Sequence, residues 1–374
     1  MSKNPCLYIN LNKIKKNAEY IKGFCQRYEI EVVGITKGCC AIPEVAEALV
    51  EGGINFLGDS RIKNLQRLKE AGIKAKTMLI RTPMLSEIDE VLKWADISLN
   101  SEITVIKSLS EATSLSQIIH PIILMIELGD LREGLMPDQV LETVEEILSY
   151  KGVKLIGIGT NFGCISGVLP TSEEMYQLVR IAEEIEATFS LDLEVISGGS
   201  TNVLKLVEEN TLPKRINQLR IGVGILLGQD DARESNIIGT YQDTFILNAE
   251  IIEIKEKPSF PQGKIGRDAF GEIPILEDLG IRRRALLALG KQDIQVKGLI
   301  PTIEGVKIIG ASSDHLVLDI TESKEELVVG DEIRFQLNYP ALLSASTSEY
   351  VYKFFIRGKD EDVYKYERKR FNLH

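Results

Sequence analysis

The chain has 374 residues, 44% hydrophobic and 26% charged, which excludes a disordered or fibrous polymer and leaves room for two domains with ordinary cores. Lysine and arginine total 44 against 55 aspartates and glutamates, a net charge of -11 without a dense basic stripe, which argues against a nucleic-acid partner. No apolar run reaches the roughly 18 residues of a membrane span, the start MSKNPCLYIN has no signal-like stretch, and five cysteines without a CxxC pair suggest neither a disulfide framework nor a zinc cage. The expectation is a reduced cytoplasmic protein with no membrane, nucleic acid or metal among its partners.

From about residue 30 to 225, short apolar or β-branched runs alternate with longer amphipathic stretches. The runs are EIEVVGI, INFLGD, TMLIRT, DISLN, IIHPIILMIEL, VKLIGIGTNF, LEVISGG and LRIGVGI. Between them, PEVAEALVEGG, RIKNLQRLKEAG and TSEEMYQLVRIAEEIEATFS repeat apolar residues at helical spacing. Eight strands with intervening helices predict an α/β fold, a closed (β/α)8 barrel of TIM type over residues 10–235. Beyond 235, QDTFILNAEIIEIKEK, RRRALLALG, VKIIGASSDHLVLDIT and VVGDEIRFQL read as strands and long helical stretches disappear, so a mainly β domain is expected over 236–374. PSFPQGKIGRDAFGEIPILEDLG reads as an irregular excursion within it.

Active sites of such barrels lie at the C-terminal ends of the strands. Lys37 follows the first strand immediately in VVGITKGCC. A lysine partly removed from water has its pKa lowered, and its neutral amine can condense with an aldehyde cofactor; taken alone, a lysine after a strand is more often a solvated loop residue. The seventh strand ends in ISGGSTNVL, where glycines and the hydroxyls of Ser200 and Thr201 suit a phosphate, the alternative being an N-capped helix. The eighth supplies Gly222 and Gly224, and phosphate sites after the last two strands recur in barrels. Arg220, inside that apolar strand, needs a partner: a neighbouring carboxylate, or a cofactor ring nitrogen or phosphate. Arg132, in ELGDLREGL, poses the same question.

With these motifs in this order the chain resembles the alanine racemase family, specifically its branch of ornithine and related amino acid racemases, over nearly its whole length. LYINLNKIKKNAEYI is similar to the family's start, which implies that a strand within residues 1–9 joins the β domain. The resemblance implies pyridoxal 5'-phosphate on Lys37, Arg132 at the cofactor's phenolic oxygen and Arg220 at its pyridine nitrogen. Ser200, with Thr201, matches the phosphate-binding serine motif, Gly222 and Val223 offer backbone N–H groups to the same phosphate, and LNYPALLSASTSEYVYKFF places Tyr350 as a phosphate-binding phenol. Asn161 stands in TNFGC where the family has histidine.

The family's second base is a tyrosine, and ALGKQDI puts Lys291 there. ASSDHLVLD matches the substrate-side motif with Ser313, Asp314 and His315, of which His315 titrates near neutrality. The resemblance therefore implies inversion of a free amino acid, ornithine first and alanine, lysine or serine as alternatives. It also implies a homodimer with composite sites, Lys37 acting on one ring face and Lys291 or His315 of a partner's β domain on the other. A non-catalytic pyridoxal-phosphate homeostasis protein would need only the barrel, and a decarboxylase would carry a cysteine motif that has no match in the C-terminal half.

Overall fold

The computed structural model describes residues 4–113, 118–273 and 277–358. They fall into two compact units, Leu11–Gln242 and, together, the residues up to Asn10 and those from Asp243 onward. The first strand, β1 (Cys6–Asn10), belongs to the latter, and helix α1 (Leu11–Gln26) follows it directly.

The larger unit is a closed barrel of parallel strands: β2 (Glu31–Ile35), β3 (Phe56–Asp59), β4 (Lys76–Leu79), β5 (Ile97–Asn100), β6 (His120–Met125), β7 (Val153–Gly159), β8 (Val195–Ser197) and β9 (Gln218–Ile221). β9 pairs back onto β2, Val33 standing beside Arg220. Such strands are covered by helices outside and fill the barrel with side chains inside, which is why they read as continuous apolar runs. Val33, Phe56, Met78, Ile97, Leu99, Ile123, Met125 and Ile156 form the buried core cluster. α2 (Pro43–Glu51), α3 (Ile62–Glu70), α4 (Ile88–Trp94), α5 (Ile103–Thr113), α6 (Val140–Leu148) and α7 (Ser172–Phe189) alternate with the strands. Thr171 starts α7 with a capping box, its hydroxyl accepting from Glu173 N at 3.2 Å while Glu174 accepts from Thr171 N at 2.9 Å.

After β8 and β9 the helices shorten to α8 (Leu204–Glu208) and α9 (Val223–Leu226), and a small ribbon follows, β10 (Gln229–Asp230) with β11 (Ser235–Asn236). The barrel unit runs to Gln242 rather than to the 235 expected. The buried Asn17 of α1 holds the extra segment: its Nδ2 donates to Tyr241 O at 2.9 Å and to Ile225 O at 3.0 Å, and its Oδ1 accepts from Tyr241 N at 2.7 Å.

The second unit is an antiparallel sheet in the order β14 (Leu299–Pro301), β17 (Glu332–Leu337), β12 (Phe245–Pro258), β13 (Ile281–Leu287), β16 (Leu316–Asp319) and β15 (Lys307–Ala311). β1 lies between β12, to which it is antiparallel, and β18 (Tyr352–Ile356), to which it is parallel. One nine-residue helix, α10 (Tyr339–Thr347), also occurs here, its N-terminus closed by Asn338 Oδ1 accepting from Ala341 N at 3.2 Å. YPALLSAST is apolar on nearly every side, so it lacks the one-sided periodicity by which the other helices are legible.

Candidate active site

Lys37 begins the short turn Lys37–Cys39 directly after β2 and is half-buried there. Thr36 shapes that turn, its carbonyl accepting from Cys39 N and from Ala41 N, both at 3.1 Å. Its hydroxyl donates to Asp59 Oδ2, at the end of β3, at 2.8 Å. Asp59 is fully buried, and its other oxygen accepts from Asn64 Nδ2 and Arg61 N, each at 3.0 Å. Burial pushes this carboxyl above its ordinary range, while those hydrogen bonds and the charge of Lys37 pull the other way.

Arg220, on the strand paired with β2, is buried. Its Nη1 donates to Ser197 Oγ at 2.5 Å and its Nη2 to Thr160 O at 2.6 Å, so the side chain ties the ends of β8 and β7 together. Among the described residues it forms no ion pair, so the neighbouring carboxylate that the sequence left open as its partner is not what satisfies it. Burial pulls its pKa down to about 10, against the nearby charge of Glu133 and reinforced by that of Arg132. A guanidinium has five donors; these neutral partners leave capacity for another acceptor. The hydroxyl of Thr160 is likewise buried without a hydrogen-bond partner.

The loops after β8 and β9 meet. Gly199 adopts φ +125°, a backbone that side chains rarely tolerate, and its carbonyl accepts from Arg220 N at 2.8 Å. Ser200 Oγ donates to Asn202 Oδ1 at 3.2 Å, and Thr201 Oγ1 accepts from Gly224 N at 3.2 Å, joining the two loops. A Cβ on Gly222 would stand 3.2 Å from the Cβ of Ile35, two residues before Lys37. Ser200, Thr201, Gly222, Val223, Arg220 and Lys37 thus occupy one sector of the barrel's C-terminal end.

Arg132 lies on the loop after β6, where Glu127 accepts from Gly129 N at 2.6 Å and from Arg132 N at 3.1 Å. Its guanidinium donates to Cys164 Sγ at 3.0 Å and to Glu133 Oε1 at 2.5 Å. Burial opposes its charge, but Glu133, Cys164 and Asp130 together hold its pKa above the ordinary value. Asn161, after β7, has a long 3.5 Å contact from Nδ2 to Phe162 O.

The remaining candidates lie in the β unit. Lys291 N donates to Ser312 O at 2.9 Å and Gln292 N to Ser313 O at 3.2 Å, which brings Lys291 beside Ser313, Asp314 and His315, all three exposed. Lys291 Nζ stands 3.5 Å from Asp268 Oδ2 and 3.9 Å from the centre of the Phe270 ring. His315 Nδ1 has Ser312 Oγ at 3.5 Å, and Tyr350 is exposed, its N–H donating to Ser348 Oγ at 3.2 Å. His120 is no competitor: it is buried against Ser98 Oγ at 2.9 Å, and burial pushes its pKa down to about 4.

Sequence reasoning missed Asp59, the pairing of Ser197 and of the Thr160 carbonyl with Arg220, and the Cys164 contact. Asp59 had a signal, a carboxylate closing the apolar run INFLGD at a strand end. The arrangement suits pyridoxal phosphate: a half-buried primary amine for its aldehyde, a buried guanidinium with spare donors for its ring, and hydroxyl and glycine loops for its phosphate. Among the described residues there is no group of three or more His, Cys, Asp or Glu that could hold a metal ion, and no helix long and apolar enough to cross a membrane.

Comparison with known proteins agrees with this chemistry. Residues 9–230 match the family model for the N-terminal domain of alanine racemase. An ornithine racemase of Acetoanaerobium sticklandii is 41% identical over 350 residues, 93% of this chain and 99% of that protein. A lysine racemase of Thermotoga maritima is 44% identical over 351 residues, 94% and 98% respectively. The fold matches an alanine racemase of Clostridium difficile 630 with a TM-score of 0.72 at 16% identity, covering 95% of this chain and 96% of that one. The chain therefore belongs to the alanine racemase family. It is an amino acid racemase dependent on pyridoxal phosphate.

Proposed function

We propose that this racemase inverts ornithine. The observation that carries the proposal is the pair of near-full-length relatives at 41% and 44% identity, named for ornithine and lysine, both amino acids with a basic side chain. The somewhat more similar relative favours lysine as the second reading.

When bound, pyridoxal phosphate supplies an electron sink that acidifies the substrate's Cα–H. Lys37 binds the cofactor and takes that proton on one face. Ser200, Thr201 and the N–H groups of Gly222 and Val223 would hold the phosphate, while Arg132 and Asn161 would orient the ring. Arg220, a charged donor, would face the ring nitrogen and would keep it unprotonated. Lys291 donates the proton on the opposite face from the β unit of a second copy, flanked by Ser313 and Asp314. Its ammonium beside Asp268 and Phe270 favours Lys291 over the exposed His315 for that role.

Purified protein incubated with L-ornithine, L-lysine, L-alanine and L-serine, followed by chiral chromatography, tests the substrate. Ornithine is expected to be inverted fastest. Faster inversion of alanine or serine overturns the proposal, and faster inversion of lysine establishes the second reading.

A further inference from the structure

Asp59 is a fully buried carboxylate whose direct partners are neutral, the Thr36 hydroxyl, the Asn64 amide and the Arg61 N–H. A buried ionised group is costly unless a counter-charge or several hydrogen bonds compensate it, and nothing in the mechanism above uses it. The turn it holds is strained: Cys40 and Ala41 adopt φ +53° and +48° in succession, conformations that non-glycine residues avoid. Such strain persists where surrounding contacts over-determine the backbone. Here Thr36 is gripped from three sides, its carbonyl accepting from Cys39 Sγ at 3.2 Å, its N–H donating to Gly58 O at 2.9 Å and its hydroxyl donating to Asp59.

We propose that Asp59 is a positioning residue for Lys37: through Thr36 it fixes the turn from which the amine projects, and, as a carboxylate held ionised by three hydrogen-bond donors, it favours the protonated form of the Lys37 nitrogen. The proposal rests on the reading of Lys37 as the cofactor lysine. The charge of Lys37 favours the ionised form of Asp59; the Cys39 thiol is pushed up to about 12 by burial and by Asp59, so it stays protonated as a donor to Thr36. Arg67 caps the far end of the turn by donating to Cys40 O, and Arg61 contributes its backbone N–H.

The test uses the holoenzyme and the pH profile of the visible absorbance of its bound cofactor. Asp59→Asn, which keeps the shape and removes the charge, is expected to lower the midpoint of that profile by about one pH unit, a tenfold loss of proton affinity. Asp59→Glu is expected to restore it. An unchanged midpoint in folded Asp59→Asn overturns the proposal. Should Asp59→Asn fail to fold, Thr36→Val decides: tenfold weaker uptake of pyridoxal phosphate, rescued in Thr36→Ser, supports the proposal, and uptake equal to the parent's overturns it. Borohydride trapping and peptide mapping on the parent check the premise separately, because a pyridoxyl group on another lysine removes the role of Lys37 whatever the profiles show.

Discussion

Arg220 donates its Nη2–H to the carbonyl oxygen of Thr160 at 2.6 Å, so a charged side chain in the barrel is satisfied by backbone and hydroxyl oxygens and not by a carboxylate. A lysine in its place has a single nitrogen and no fork with which to reach Ser197 and Thr160 together. Arg220→Lys is expected to destabilise the protein by about 1–3 kcal/mol through the acceptor left unpaired, read as a lower urea midpoint. Arg220→Gln removes the charge as well and is expected to raise conversion of the bound cofactor to its amine form during turnover, followed by absorbance.

Lys37→Ala leaves the barrel core intact and removes the amine. Racemisation is expected to fall by at least about 10²-fold, with visible absorbance of bound cofactor lost and far-UV circular dichroism unchanged. Full activity in this variant sinks the role given to Lys37.

His120 fixes the sign of one acid limb. Its folded pKa is depressed from 6.5 to about 4 by burial, so the unfolded chain binds the extra proton between those values and stability rises with pH across the window. The contribution is complete above about 6.5 and is lost as pH falls through about 4, a change of about 3 kcal/mol. His120→Asn is expected to flatten that part of the stability profile measured by urea unfolding at each pH.

The thiols divide by environment. Cys6, Cys25 and Cys39 are buried, and burial pushes Cys25 and Cys39 up to about 12, whereas Cys164 is exposed against the Arg132 guanidinium. Cys25 and Cys39 are therefore held as the unreactive thiol. Brief iodoacetamide treatment is expected to label Cys164 first, by peptide mass spectrometry, and to slow turnover by displacing Arg132. Cys164→Ser is expected to be insensitive to the reagent.

All eight barrel strands were legible because parallel strands buried on both faces leave unbroken apolar runs that stop at glycine or a polar loop. Lys37 and Arg220 stood out for the same reason, a charge at or inside such a run. The Thr160 carbonyl could not be read, since a backbone acceptor carries no residue signature. Cys164 reaches Arg132 across 32 positions of chain, and only the adjacency of the β6 and β7 loops brings them together. α10 escaped notice because its apolar residues surround the axis, β14, at three residues, is too short for alternation to mark, and β18, YKFFI, does not alternate.

The pairing of Cys6 with Tyr352 sets the order in which this polypeptide can finish itself. During synthesis the barrel segments emerge and can close while β1 still waits for both neighbours, β12 and then β18, to leave the ribosome. A bulky fusion placed ahead of Cys6 therefore sits beside the last seam to close, and is expected to slow maturation of the smaller unit more than that of the barrel.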